Sequence, residues 1–378
     1  MNWLSLILLV AGAVALAYQA VALLAAVVHA GKSRLRYAKT PGGSTPGVSI
    51  LKPVRGVDEG LKAALESHAR LDYPDFEILF GVQDADDAAV PVIRQLMADR
   101  PDVEMRLVVA PTQAPNAKAG VLAALSREAR HDVLVVNDAD ISVPPEYLRR
   151  VAAPLERAAT GVVTCLYRAA AQSPAGQWEA LGIATDFIPS TLVAPLVGIR
   201  EFGLGSTLCF RRADLEAMGG FEAIGEFIAD DYQLAKRITA LGRRSSMSEV
   251  VVATTLGAPD WREVWRHQVR WARTIRVSRG GGYLGLPVTH AGVWAIVNAA
   301  AGNWPMALTL WVARVAMGVA AGFGVLRHWP ALFAAPLIPL WDVWAFAVWL
   351  AGMSGRTVYW RGRRFRLDED GRMAAEGE

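Results

Sequence analysis

At 378 residues, the chain can hold one large domain with appendages, or two domains. A net charge of +3 makes no case for a nucleic-acid partner, whereas 53% hydrophobic residues and 13 Trp point to membrane segments rather than a wholly soluble protein. The two cysteines, Cys165 and Cys209, stand far apart inside apolar runs, so buried thiols are expected and a disulfide framework or a cysteine-based metal site is not.

Residues 3–30 contain no Asp, Glu, Lys or Arg and are long enough to cross a bilayer. No basic residue precedes them, but Lys32, Arg34, Arg36 and Lys39 follow at once. A cleaved signal peptide has its positive charge first and a shorter apolar core. The pattern therefore predicts an uncleaved anchor over residues 1–31, with the amino terminus outside and the next domain in the cytoplasm. Residues 32–47, basic and then rich in Gly and Pro, read as a linker.

From residue 48 the pattern alternates. Residues 48–52 read as a strand stopped by Pro53, and Val57, Leu61, Ala64 and Leu65 follow at helical spacing. Strands are expected at 76–82 and 103–109, with helices at 90–98 and just after Asn116-Ala-Lys-Ala-Gly120. The centre of the chain is residues 131–141, where a Val-rich strand buried on both faces stops on Asp138 and Asp140. This β-α-β-α rhythm predicts an α/β domain with a mostly parallel sheet over 48–279. Further strands are expected at 161–167, 206–211 and 250–255, and helices at 229–238 and after Asp260, where Glu263 completes a capping box. Residues 178–197 are apolar but broken by Pro189 and Pro195, as in an acceptor-side loop or a surface dipping into lipid.

Residues 280–303 read as an interfacial segment, and 304–353 as a transmembrane hairpin with spans at 305–326 and 331–351. Residues 354–378, with Arg356, Arg361, Arg363, Arg364 and Arg366, form a basic tail returned to the cytoplasm. Arg314 falls inside a span, where an unpaired charge is costly, so a paired structural contact is expected.

Four polar groups fall where strand and helix ends should converge. Asp84 ends the second strand; Asp138 and Asp140 end the central one; Asp230 and Asp231 open a helix; and His267, Arg270 and Trp271 share a later helix face. In open α/β sheets ligands bind beyond the carboxyl ends of the strands, and two carboxylates one residue apart can share a divalent cation and, through it, a diphosphate. Each group also has a plain alternative: a turn, a helix-start charge pair, or an amphipathic helix on lipid headgroups.

Together these residues resemble the family 2-type membrane glycosyltransferases, in the ceramide glucosyltransferase-like branch that includes the bacterial hopanoid-biosynthesis enzymes. The resemblance spans about residues 50–276 and is carried by Leu-Lys-Pro-Val-Arg-Gly-Val-Asp58, Leu-Asp-Tyr-Pro74, Gly-Val-Gln-Asp84, Asn-Asp-Ala-Asp-Ile141, Ala-Asp-Asp-Tyr232 and His-Gln-Val-Arg-Trp271. It implies a GT-A fold and transfer of a hexose, glucose or N-acetylglucosamine, from a UDP-sugar to a lipid hydroxyl with inversion. By motif, Asp84 would contact the base with Lys118 near it. Asp138 and Asp140 would hold ribose and metal–diphosphate, the cation being Mg2+ or Mn2+, and Asp231 would be the general base. Arg270 and Trp271 would bind pyrophosphate and shape the acceptor site. His267 stands where the family has Gln or Arg; it counts with the substrate-binding set, but the resemblance does not give its role. The expected setting is a bacterial inner membrane with the catalytic domain cytoplasmic. The alternatives are a processive polysaccharide synthase of the same superfamily and a catalytically inactive membrane-tethered scaffold.

Overall fold

Strands β1 (Val48–Pro53), β2 (Phe76–Val82), β3 (Glu104–Val109) and β4 (Val133–Val136) run parallel, with a helical crossover between each and the next. With β5 (Thr160–Ala170), β6 (Leu208–Arg211) and β7 (Arg244–Thr255) they form a seven-stranded sheet in the order β3-β2-β1-β4-β6-β5-β7. Only β6 runs against its neighbours, β4 and β5. The structure, a computed structural model, describes residues 3–38, 44–360 and 362–375.

Both β1 and β4 are buried residue by residue because helices cover both faces of the sheet. On one face Ile50, Ile78 and Val135 pack with Leu65 and Ile93; on the other, Leu51, Leu79 and Leu134 pack with Leu122 and Leu125. Neighbouring residues thus enter opposite cores, as the period of two requires. The first crossover helix starts at Leu61, after Gly60 in the left-handed region (φ 86°), and Val57 is left exposed before it. β7 starts at Arg244, earlier than its apolar run suggests, because its first half is polar and gains its place by pairing with β5.

Four helices are long and apolar enough to cross a membrane: Leu6–Tyr37, Pro174–Val197, Trp304–Val325 and Ala335–Met353. Ile7, Leu24, Leu308 and Phe333 stand exposed on or beside them, a surface that suits lipid better than water. The first helix runs on to Tyr37, through Lys32, Arg34 and Arg36 of the expected linker. The broken 178–197 run is therefore helical, and it is the most enclosed of the four. Its Ile183–Phe187 turn is wound as a π-helix, so the regular carbonyl pairing lapses there. The Thr185 carbonyl accepts a hydrogen bond from Arg314 Nη1 at 2.9 Å. Arg314 also pairs with Asp342 (Nη2–Oδ1 2.7 Å, Nε–Oδ2 2.9 Å), and Asp342 accepts the Gly292 amide at 2.7 Å. The charge in the span is thus paired, as expected, and joins four segments. Gly292 belongs to Ala291–Ala300, too short a helix to span.

The basic carboxyl-terminal stretch is not a loose tail. It folds into an antiparallel three-stranded sheet, β8 (Thr357–Trp360), β9 (Arg363–Leu367) and β10 (Met373–Ala375). This sheet docks on the loop before Asp230 through Ile228 N to Gly371 O (3.1 Å) and Met373 N to Glu226 O (2.7 Å). Arg361 and residues 39–43 lie outside the described residues.

Candidate active site

A cavity of about 930 Å3 opens beyond the carboxyl end of β4, between the sheet, the Asp230–Ala240 helix and the Trp261–Ser278 helix. Its floor is the turn carrying Asp138 and Asp140. Buried Lys52, from β1, braces that turn from below: Nζ donates to the carbonyls of Asp138 (3.0 Å) and Ile141 (3.3 Å). Asn137 ties it sideways, donating through Nδ2 to Ser206 O at 2.6 Å. Thr254 of β7 donates its hydroxyl to Asp140 Oδ2.

Lys118 enters from the Ala117–Glu128 helix, whose first turn is capped by Asn116. Its Nζ lies 2.7 Å from Asp138 Oδ1 and 2.9 Å from Asp230 Oδ2, which joins the central acid motif to the later acid pair. Asp231 points into the cavity with both oxygens held by backbone: Oδ1 accepts the Tyr232 amide (2.7 Å) and Oδ2 the Gly205 amide (3.0 Å). The same Gly205 accepts the Asp138 amide through its carbonyl at 3.2 Å. One glycine backbone therefore sits between the two acids. A Cβ there would lie 2.7 Å from Asp138 Oδ2 and 3.5 Å from Asp231 Oδ2.

The roof is the Trp261–Ser278 helix, started by the expected capping box of Asp260 and Glu263. It presents His267, Arg270 and Trp271 to the cavity. Trp271 packs on Phe187, with ring centroids 5.5 Å apart, and Phe187 on Tyr167 at 5.9 Å, giving an aromatic wall towards the membrane helices. Seven of the eight site residues named from the sequence thus line one cavity. Asp84 does not line it. It is exposed beyond β2, and its carboxylate accepts the Asp86 amide at 3.0 Å, as in a simple turn.

The sequence pattern described as glycosyl transferase family 21 matches residues 7–373. The chain belongs to that family. It is 28% identical over 219 residues to ceramide glucosyltransferase 1 of Caenorhabditis elegans, covering 57% of this chain and 47% of that protein. It is 32% identical over 108 residues to the ceramide glucosyltransferase of Candida albicans, covering 25% of this chain and 20% of that one. The chain spans about half the length of the first of these relatives, or less. Among solved structures it is similar to the mannosyltransferase PcManGT from Pyrobaculum calidifontis in complex with GDP-Man and Mn2+, with a TM-score of 0.51 and 21% identity over 91% of this chain and 97% of that one. That likeness shows the fold: the α/β domain of this family 21 chain is a GT-A domain.

The electrostatics of the family 21 site follow from crowding Asp138, Asp230 and Asp231 around the buried Lys118, with Asp140 beside the buried Lys52. Burial and then the neighbouring Asp230 push Asp231 up to about 6, against the pull of Lys118. Burial and then Asp138 likewise raise Asp140 above the ordinary carboxylate value. Burial disfavours the Lys118 ammonium, but Asp138, Asp230 and Asp231 outweigh it and hold its pKa above that of a free lysine. Lys52 has no such ring of acids, and burial pushes it down to about 7 despite Asp140 and Asp138.

The donor set fits a hard divalent cation. Lys118 occupies Oδ1 of Asp138 and Thr254 occupies Oδ2 of Asp140, so a second oxygen on each carboxylate is left to face an ion. Among the described residues no group of three or more His, Cys, Asp or Glu could hold a metal by itself. Two carboxylates completed by phosphate and water are what magnesium or manganese accepts, and zinc does not favour.

Lys52, Gly205, Thr254 and the buried Glu179 that holds His267 are parts of the site to which the sequence reading assigned no role, although Lys52 lies within Leu-Lys-Pro-Val-Arg-Gly-Val-Asp58. A lysine inside an otherwise apolar strand, and Gly203-Leu-Gly205 just ahead of β6, are the signals the sequence carried for two of them.

Proposed function

We propose that the protein is an inverting glycosyltransferase that moves glucose or N-acetylglucosamine from a UDP-sugar to the hydroxyl of a ceramide- or hopanoid-type lipid. Its catalytic domain would face the cytoplasm at a bacterial inner membrane. The observation that carries this reading is the placement of Asp231. It shares a cavity with the Asp138–Asp140 turn but is held apart from it by the Gly205 backbone, and the same cavity is lined by Tyr167, Phe187 and Trp271, of which Phe187 belongs to the span-length Pro174–Val197 stretch.

A lipid hydroxyl is a weak nucleophile at neutral pH, and a positioned base typically contributes about 10²–10⁴ in rate. Asp231, with a pKa of about 6, is ionised at neutral pH yet more basic than an ordinary carboxylate. It takes the hydroxyl proton as the acceptor oxygen attacks the anomeric carbon from the face opposite the leaving diphosphate. One base and no nucleophilic partner is the requirement for inversion. Arg270 is placed to meet the charge that grows on the departing diphosphate. Asp138 and Asp140 would hold a Mg2+ or Mn2+ ion, which supplies further neutralisation of that charge. Lys118 keeps Asp138 and Asp230 in place and compensates their charge before the donor arrives.

The test is purified protein in detergent with UDP-glucose or UDP-N-acetylglucosamine and a bacterial lipid extract. UDP release should depend on the lipid, and one lipid class should gain the mass of a single sugar. Products longer than one sugar would indicate a processive synthase, and absence of lipid-dependent release would indicate a binding scaffold.

A further inference from the structure

A second, smaller pocket of about 130 Å3 lies behind the aromatic wall, between the Pro174–Val197 stretch, the Trp261–Ser278 helix and the Ile338–Met353 helix. Ile183, Phe187, Trp271 and Ile275 line both it and the catalytic cavity, so the two spaces share a wall. Its far side is Trp341, Ala345 and Val348 of a membrane helix. The volume is close to that of an apolar cavity that takes up one benzene, enough for only a few methylenes. Its polar groups are mostly engaged: Asp186 accepts from Trp341 Nε1 at 3.2 Å, and Ser190 meets the Tyr18 hydroxyl at 3.1 Å.

The wall between the two spaces is pinned by one carboxylate. Glu179 is buried, and its Oε1 accepts from His267 Nδ1 and from Gln268 Nε2, each at 2.6 Å. These are consecutive residues of one helix; His267 faces the catalytic cavity and Gln268 the small pocket. The His267 ring also packs against Trp271, centroid to centroid 4.9 Å.

We propose that the small pocket receives the first carbons of the acceptor lipid's hydrocarbon portion, and that Glu179 positions the wall past which its hydroxyl reaches Asp231. The occupant is an alkyl or alicyclic lipid portion rather than the sugar. The pocket is lined mainly by apolar and aromatic side chains, adjoins span-length helices and shares Ile183, Phe187, Trp271 and Ile275 with the cavity that holds the base. This rests on the lipid-acceptor reading above and adds where the acceptor binds.

Two measurements test it. Ala345→Phe, or the milder Ala345→Leu, should fill the pocket and raise the acceptor KM at least tenfold, about the worth of two buried methylenes, while the UDP-sugar KM stays unchanged. Glu179→Ala should raise the acceptor KM in the same selective way, and Glu179→Gln, which keeps a carbonyl acceptor for His267, should recover most of it. Separately, a ceramide carrying a diazirine in its acyl chain close to the headgroup should crosslink to the Ile338–Met353 helix around Ala345, and lose that crosslink in Ala345→Phe. Crosslinks confined to the outward side chains, or unchanged acceptor KM in the pocket-filling variants, overturn the proposal. Wild-type protein with no lipid-dependent UDP release would instead remove the activity on which it rests, and crosslinking still reports on the pocket in that case.

Discussion

Asp231→Asn separates the chemistry of that carboxylate from its structural role, because the structure gives the two opposite signs. In the folded protein its pKa is about 6, against about 3.9 for an aspartate in an unfolded chain. The fold therefore favours the protonated form. That contribution to stability is complete below about pH 3.9 and is lost as pH rises through about 6, and the gap between the two values is worth about 3 kcal/mol. Asparagine has no such loss. It does leave one amide unpaired, since the Tyr232 and Gly205 N–H groups each hold one carboxylate oxygen and an asparagine offers only one. That costs about 1–3 kcal/mol at any pH. The variant should thus be less stable than wild type at about pH 4 and close to it, or better, at about pH 8, by thermal unfolding in detergent. Its turnover should meanwhile fall by about 10²-fold or more with donor affinity little changed. In wild type, kcat/KM should fall tenfold for each further step of one in pH below about 6. A mere helix-start charge, worth about 0.3–1 kcal/mol, predicts the reverse: slight destabilisation at pH 8 and near-normal single-turnover rates. That outcome would move the base elsewhere.

Gly205→Ala should place a Cβ 2.7 Å from Asp138 Oδ2 and push that carboxylate off Lys118, lowering kcat/KM by about 10- to 100-fold, with a strain of about 1–3 kcal/mol that lowers the unfolding temperature by a few degrees. Chelation should abolish turnover and Mn2+ or Mg2+ restore it, whereas Asp140→Ala should lose cation-dependent donor binding in a titration with UDP-sugar; full activity after exhaustive chelation removes the ion from the account. Arg314→Leu should destabilise the detergent-solubilised protein by about 3–5 kcal/mol by stranding Asp342, and the double Arg314→Leu, Asp342→Leu variant should regain most of that in thermal unfolding. Cysteine reporters in intact cells should be labelled near Met1 and protected near Arg364; the opposite pattern would put the active site on the other side of the membrane.

What the sequence could show depended on range. β1, β2 and β4 were readable because parallel strands covered on both faces become unbroken apolar runs, and the Trp261–Ser278 helix because its capping box is local. The start of β7 was not readable, since Arg244-Ser-Ser-Met-Ser-Glu249 has no apolar rhythm and owes its strand to β5. The carboxyl-terminal sheet was hidden for a related reason: its arginines look like a solvated tail until the backbone of β10 and the turn before it find Glu226 and Ile228, far away in sequence. The enclosed Pro174–Val197 stretch showed prolines where a continuous helix was not expected, and the contact between its π-wound turn and Arg314 joins residues too far apart in sequence to be read locally.

The same distinction holds inside the site. Asp138, Asp140 and Asp231 were legible because each sits at the end of an element whose identity is local. How they relate to one another was not, because that is fixed by contacts between groups far apart in sequence. Gly205 binds the Asp138 amide with its carbonyl and the Asp231 carboxylate with its amide, so the two acids cannot move independently. Lys118 adds a second link through Asp138 and Asp230. A donor that pulls Asp138 towards its diphosphate therefore acts on the glycine that holds Asp231, and on the lysine that compensates its neighbour. In the proposed mechanism the base would be coupled to donor binding through one glycine and one ammonium, with no moving loop required. An enzyme that must not deprotonate a lipid hydroxyl, or water, before its sugar is in place has a physical reason to be built in this way.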